Sequence, residues 1–147
     1  MILERKETQM KIKVLLVMPG KEVQIVKIPT NLKFIKSFIG EDLFRIKLDE
    51  NTMIYANKNA KQEEFNRILG GNILLGSFLI VSIKNNRRTS MKKKSIRKYT
   101  NMFKLRKHQK KVDILKEEYL EEFYSNQRKM KQKNAKRNKQ EIFKLAA

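Results

Sequence analysis

The chain has 147 residues and a formal net charge of +20, with 35 Lys and Arg against 15 Asp and Glu. It has no cysteine and one histidine, which excludes disulfides and cysteine nucleophiles and leaves too few ligands for a zinc site. The longest apolar run, Ile73 to Ile83, is about half of what a bilayer-spanning helix needs. Met1-Ile-Leu-Glu-Arg-Lys lacks the apolar core of a signal peptide, so a soluble, cytoplasmic protein is expected.

Residues 1–10 read as an N-terminal extension. Ile12, Val14 and Leu16 recur at every second position between Lys11 and Met18, which predicts a strand. Pro19-Gly20-Lys21 is a turn signal, and Glu22 to Ile28 alternates again, so the two runs predict a hairpin. Thr30 or Asn31 can cap a helix that places Leu32, Ile35, Phe38 and Ile39 on one face, with Gly40 closing it. Leu43 to Leu48 and Thr52 to Ala56 predict strands around an Asp49-Glu50-Asn51 turn. A short helix is expected from Gln62 to Leu69, broken by Gly70-Gly71-Asn72. Ile73 to Ile83 reads as the central strand, with a bulge or close backbone approach at Gly76. The fold class is therefore α+β: a small mixed or antiparallel sheet of about five strands with one or two short helices, over residues 11–84.

A long basic α-helical arm is expected to follow, over residues 85–147. This half carries 21 basic and 6 acidic residues, three quarters of the net charge. It contains neither glycine nor proline. Ile96, Tyr99 and Phe103, then Leu105, Val112, Leu115, Tyr119 and Phe123, fall at helical spacing with an interruption near His108. A helix is expected over at least Ser95 to Tyr124. The break in composition near Lys84 predicts that the first domain folds without the arm. Beyond Arg128 the arm is nearly free of apolar residues, so its order would depend on a partner. Ile142, Phe143 and Leu145 are expected to form a small apolar hook at the end.

Residues 11–84 resemble a small family of unknown function carried by phages, plasmids and conjugative elements of Gram-positive bacteria. The matching features are the strand ending in Pro19-Gly20-Lys21, the helix closed by Gly40, Asn66-Arg67, and a last strand holding Gly76. Asn57-Lys58-Asn59-Ala60-Lys61 stands where the family shows Asn-Glu-x-Gly-Lys, so the Glu and Gly are missing here. The resemblance implies a mobile-element setting in a bacterial host and no known activity.

No catalytic constellation is expected. His108 stands among lysines without an orienting carboxylate and reads as a surface or groove-lining residue, and Gly70-Gly71 lacks the ending of a phosphate loop. The expectation is therefore no enzyme, no cofactor and no metal. Asn66 and Arg67 form a candidate site in the domain, with a structural hydrogen-bonding pair as the alternative. The strongest signal is Arg87, Arg88, Lys92, Lys93, Lys94, Arg97, Lys98, Lys104, Arg106, Lys107, Lys110 and Lys111, a run with no acidic residue between them. Such a run releases counterions on meeting a phosphate backbone. Arg128, Lys129, Lys131, Lys133, Lys136 and Arg137 form a secondary basic set. Tyr99 and Phe103 are candidates for stacking on unpaired bases, with packing on the domain as the alternative. The expected partner is DNA or RNA, or a host nucleoprotein complex, and dimerisation through the arm is a further option. No membrane attachment is expected, because the basic stripe has few large apolar neighbours and the chain has no Trp. Two functional classes fit: a nucleic-acid-binding accessory protein of a mobile element, or an anti-CRISPR or other counter-defence inhibitor of a host nuclease complex.

Overall fold

A computed structural model describes the backbone of residues 10–146 and the side chains of residues 10–133. The N-terminal extension, apart from Met10, and the side chains of the terminal hook lie outside these residues. The chain divides into two units, the first ending at Val112 and the second beginning at Asp113.

The first unit is built on a six-stranded antiparallel sheet. Its strands are β1 (Lys11–Val17), β2 (Gln24–Pro29), β3 (Leu43–Asp49), β4 (Thr52–Asn57), β7 (Phe78–Lys84) and β8 (Arg87–Thr89). Five run in the order β2-β1-β7-β4-β3, and β8 pairs with β7. A separate hairpin is formed by β5 (Phe65–Leu69) and β6 (Asn72–Leu75). Alternation along β1 divides its side chains between two cores. Ile12, Val14 and Leu16 join Leu79, Val81 and the buried face of α1 (Leu32–Ile39) on one side. Leu15 and Val17 join Ile54, Phe78, Ile80 and Leu74 on the other. With both faces covered, β7 shows four consecutive buried residues from Phe78 to Val81.

The β1–β2 hairpin, α1 and the β3–β4 hairpin follow the sequence expectation. Asn31 caps α1 by accepting a hydrogen bond from the Phe34 amide at 2.6 Å. Gly40 closes it, its amide donating to the Lys36 carbonyl. A Cβ at Gly40 would stand 2.6 Å from the Asn57 side chain, so only glycine fits beside that loop.

Three expectations are corrected. Gln62 to Leu69 is not a helix, because Phe65–Leu69 pairs with Asn72–Leu75 across the Gly70-Gly71 turn. Ile73 to Ile83 is not one strand, because Gly76 takes φ +69 and divides it into β6 and β7. These changes, together with β8, give eight strands where about five are expected.

The third correction concerns the boundary at Lys84. Asn85 and Asn86 both have positive φ, 51° and 61°. That is the backbone of a two-residue hairpin turn, and it returns Arg87–Thr89 onto β7. The chain then enters α2 (Lys93–Met102) and, after a break at Phe103 and Lys104, α3 (Leu105–Ala146). Met91, Tyr99 and Phe103 lie in the core with Leu15, Phe78 and Ile80. Compact packing therefore runs on to Val112. The backbone of α3 is helical through Ala146, where the sequence alone ties order to a partner.

Candidate nucleic-acid interface

The basic helices are anchored by what lies between their charges. In α2, Tyr99 is buried and Ile96 packs partly against the same core. Phe103 is fully buried, edge-to-face with Phe78 at 5.5 Å between ring centroids. In the first turns of α3, His108 and Val112 are buried. The His108 ring stacks on Phe103 at 5.8 Å. Its Nδ1 accepts from the Ile68 amide at 3.1 Å, so Nε2 is the protonated nitrogen and donates to the Met102 carbonyl at 2.8 Å. His108 is thus a buried strut between β5 and the end of α2. The surface position expected for it is corrected.

Two polar contacts fix the helices further. The Tyr99 hydroxyl donates to the Asp49 carboxylate in the β3–β4 turn. Burial, reinforced by this bond, pushes the Tyr99 pKa up to about 12. For Asp49, burial raises the pKa, but the bonds from Tyr99, the Asn51 amide and Thr52, with the nearby Lys98 charge, outweigh it, and the net shift is downward.

Arg67 is the second contact. Its side chain is fully buried, and its bonding acceptors are carbonyl oxygens. Nε donates to the Phe103 carbonyl at 2.8 Å, and NH1 to the Asn66 Oδ1 at 2.9 Å. NH2 donates to the Lys21 carbonyl in the β1–β2 turn. Burial lowers its pKa and the Glu22 charge opposes that, but a guanidinium remains charged at any working pH. Asn66 completes the cluster by donating to the Val17 and Gly76 carbonyls at 2.9 and 2.7 Å. The Arg67 bond to Phe103 takes a carbonyl that a continuous helix would use for its next turn, which accounts for the break between α2 and α3.

Anchoring one face turns the other outward. Lys93, Lys94, Arg97 and Lys98 of α2 are exposed, and the Lys98 ammonium stands over the Tyr99 ring, 5.2 Å from its centroid. Arg106, Lys107, Lys110 and Lys111 of α3 are exposed around the buried His108 and Val112. Lys107 Nζ donates to Asn101 Oδ1 at 3.1 Å, joining the two helices at their polar faces. Lys92 is exposed at the N-cap of α2, and Lys104 is half-buried at the break. Arg87 is exposed on β8, while Arg88 is half-buried and donates through Nε to the Thr30 carbonyl at 2.7 Å. Arg88 is thus partly committed to the sheet.

Residues 10–104 match the family described as a domain of unknown function, DUF3846. The chain belongs to this family. The match runs past Lys84 to the end of α2, so the first basic helix is part of the DUF3846 domain and is not appended to it. No curated protein and no solved structure matches the chain.

Within the DUF3846 domain, two groups of expected site residues are corrected. Tyr99 and Phe103 cannot stack on bases, because 1% and 0% of their surface reaches solvent. Asn66 and Arg67 are 1% and 0% exposed and spend their polar atoms on the protein. They form the structural pair that stood as the alternative, placed on a strand. In the second unit, Arg128, Lys129, Lys131 and Lys133 are exposed along α3. The side chains of Lys136 and Arg137 lie outside the described residues. Among the described residues no cluster of three or more His, Cys, Asp or Glu could hold a metal, and no helix is long and apolar enough to cross a membrane.

Proposed function

We propose that the exposed face of α2 and the first turns of α3 binds a nucleic-acid backbone, free or within a host nucleoprotein complex. The carrying observation is that eight Lys and Arg side chains face outward from two helices whose opposite faces are locked in the core. Cations held in fixed positions meet phosphates without the ordering cost that a loose tail incurs. The described surface supplies no aromatic side chain from α2 for base stacking, so the contact is to the backbone and carries little sequence information. A mobile element of a Gram-positive host is the proposed setting, and it rests on the motif resemblance between Lys11 and Lys84.

The test compares two quadruple variants by fluorescence anisotropy with single-stranded DNA, duplex DNA and RNA across a salt series. Lys94, Lys98, Arg106 and Lys110→Ala removes positioned charge and keeps helix propensity. The slope of log affinity against log salt should shrink by about 0.7–0.9 for each phosphate that is no longer neutralised. Arg128, Lys129, Lys131 and Lys133→Ala should do less. Equal losses would replace positioned contacts with diffuse attraction, and no loss in either would end the nucleic-acid reading. A wide preference for an assembled host nuclease complex over free nucleic acid would move the protein to the counter-defence class.

A further inference from the structure

A shallow groove of about 440 Å³ runs between the edge strand β2 and α2. Ile25, Ile96 and Thr100 line it together with Arg97, Asn101 and Lys104. Ile25 is 58% exposed there, although Val26 and Ile28 of the same strand reach the core. The occupant that suits an apolar floor beside cations is an apolar side chain bracketed by carboxylates.

The chain carries such a segment. Glu117, Glu118, Glu121 and Glu122 are its densest acidic stretch, set inside its most basic half. All four are exposed on α3. They bracket an aromatic cluster in which Tyr119 and Phe123 stack at 6.2 Å and Phe123 meets Tyr124 edge-on at 5.7 Å. Phe123 and Tyr124 remain 42% and 55% exposed. Two such stretches laid side by side about Tyr119 would set carboxylates against carboxylates, so direct arm-to-arm pairing there is opposed by charge.

We propose that the protein self-associates by seating the acidic, aromatic stretch Glu117–Tyr124 of one copy in the β2–α2 groove of a second. The aromatic rings cover Ile25 and Ile96, and Glu118 and Glu122 meet Arg97 and Lys104. Reciprocal exchange gives a closed two-fold dimer containing the contact twice. This inference does not depend on the nucleic-acid reading.

Sedimentation velocity on the nuclease-treated full chain tests it. The mass should rise from monomer to dimer with concentration. Glu118→Lys with Glu122→Lys should weaken the dimer on the order of tenfold or more, and so should Arg97→Glu with Lys104→Glu. Mixing the two reversed proteins should restore dimer, because each altered segment then faces an altered groove and each native segment a native one. Ile25→Asp and Tyr124→Ser, both at exposed positions, give the same reading if a charge-reversed chain fails to fold. A monomer at every concentration overturns the proposal, as does a dimer that none of these changes weakens. A mixture that stays monomeric overturns it too.

Discussion

Two basic stretches of this chain carry charge at comparable density and sit in different circumstances. Lys92 to Lys111 holds ten Lys and Arg in twenty residues, and Arg128 to Lys133 holds four in six. Only the first is interleaved with Ile96, Tyr99, Phe103 and His108, side chains that pack into the domain. The residues between the distal charges are Met130, which is 67% exposed, and Gln132. Charge density says what sign a partner has. The residues between the charges decide whether those charges hold a fixed geometry.

The largest expected effect breaks the comparison at the domain boundary. Residues 10–112 expressed alone should unfold cooperatively in urea, followed by far-ultraviolet circular dichroism. Residues 10–84 should not, because that cut removes Met91, Tyr99 and Phe103 from the core and strips Arg67 of the Phe103 carbonyl. A cooperative transition in the shorter chain would restore the boundary at Lys84.

Two matched truncations sharpen the comparison at single residues. Phe103→Ala should cost about 3–5 kcal/mol in the full chain, the usual range for a buried aromatic. Phe123→Ala, at a position 42% exposed, should cost less than about 0.5 kcal/mol. Similar costs for the two would mean that the second unit packs as tightly as the first.

The smallest expected effect is a pH profile. Folded Tyr99 holds its proton up to about 12, against about 10 for an unfolded tyrosine. Its contribution is full below pH 10 and is lost as pH rises toward 12. The Asp49 pKa is depressed below 3.8, so its contribution is full above that value and is lost as pH falls through the depressed one. Tyr99→Phe should lower stability by about 1 kcal/mol at neutral pH. It should also flatten the alkaline decline relative to the native chain and reduce the acid one. An unchanged difference between the two proteins from neutral pH to pH 12 would remove Tyr99 from the alkaline transition.

Much of the sheet was legible because its strands obey local rules. Alternation marks β1 and β3, a Pro-Gly turn separates β1 from β2, and Asn31 with Gly40 frames α1. What escaped was settled by distant contacts. Phe65, Ile68 and Leu69 stand at helical spacing, yet Asn66 reaches Val17 and Gly76 and holds the segment extended. The Asn85-Asn86 pair was the local signal for β8 and for the true boundary. The basic face was readable as composition, and Tyr99 and Phe103 as an apolar stripe. The surface that covers the stripe could not be read, because it comes from β1, β4, β6 and β7. A fully buried arginine is rare enough that no pattern in the sequence announces one.

Arg67 also sets an order of events during synthesis. The strands β1 to β8 leave the ribosome first, since chains emerge from the N-terminus. The guanidinium cannot be enclosed until the carbonyl of Phe103 is present to receive Nε, because a buried charge without its acceptors is strongly disfavoured. The nascent sheet therefore keeps one side open to water until α2 has been made. Closure of the sheet and placement of the basic helices then become a single event.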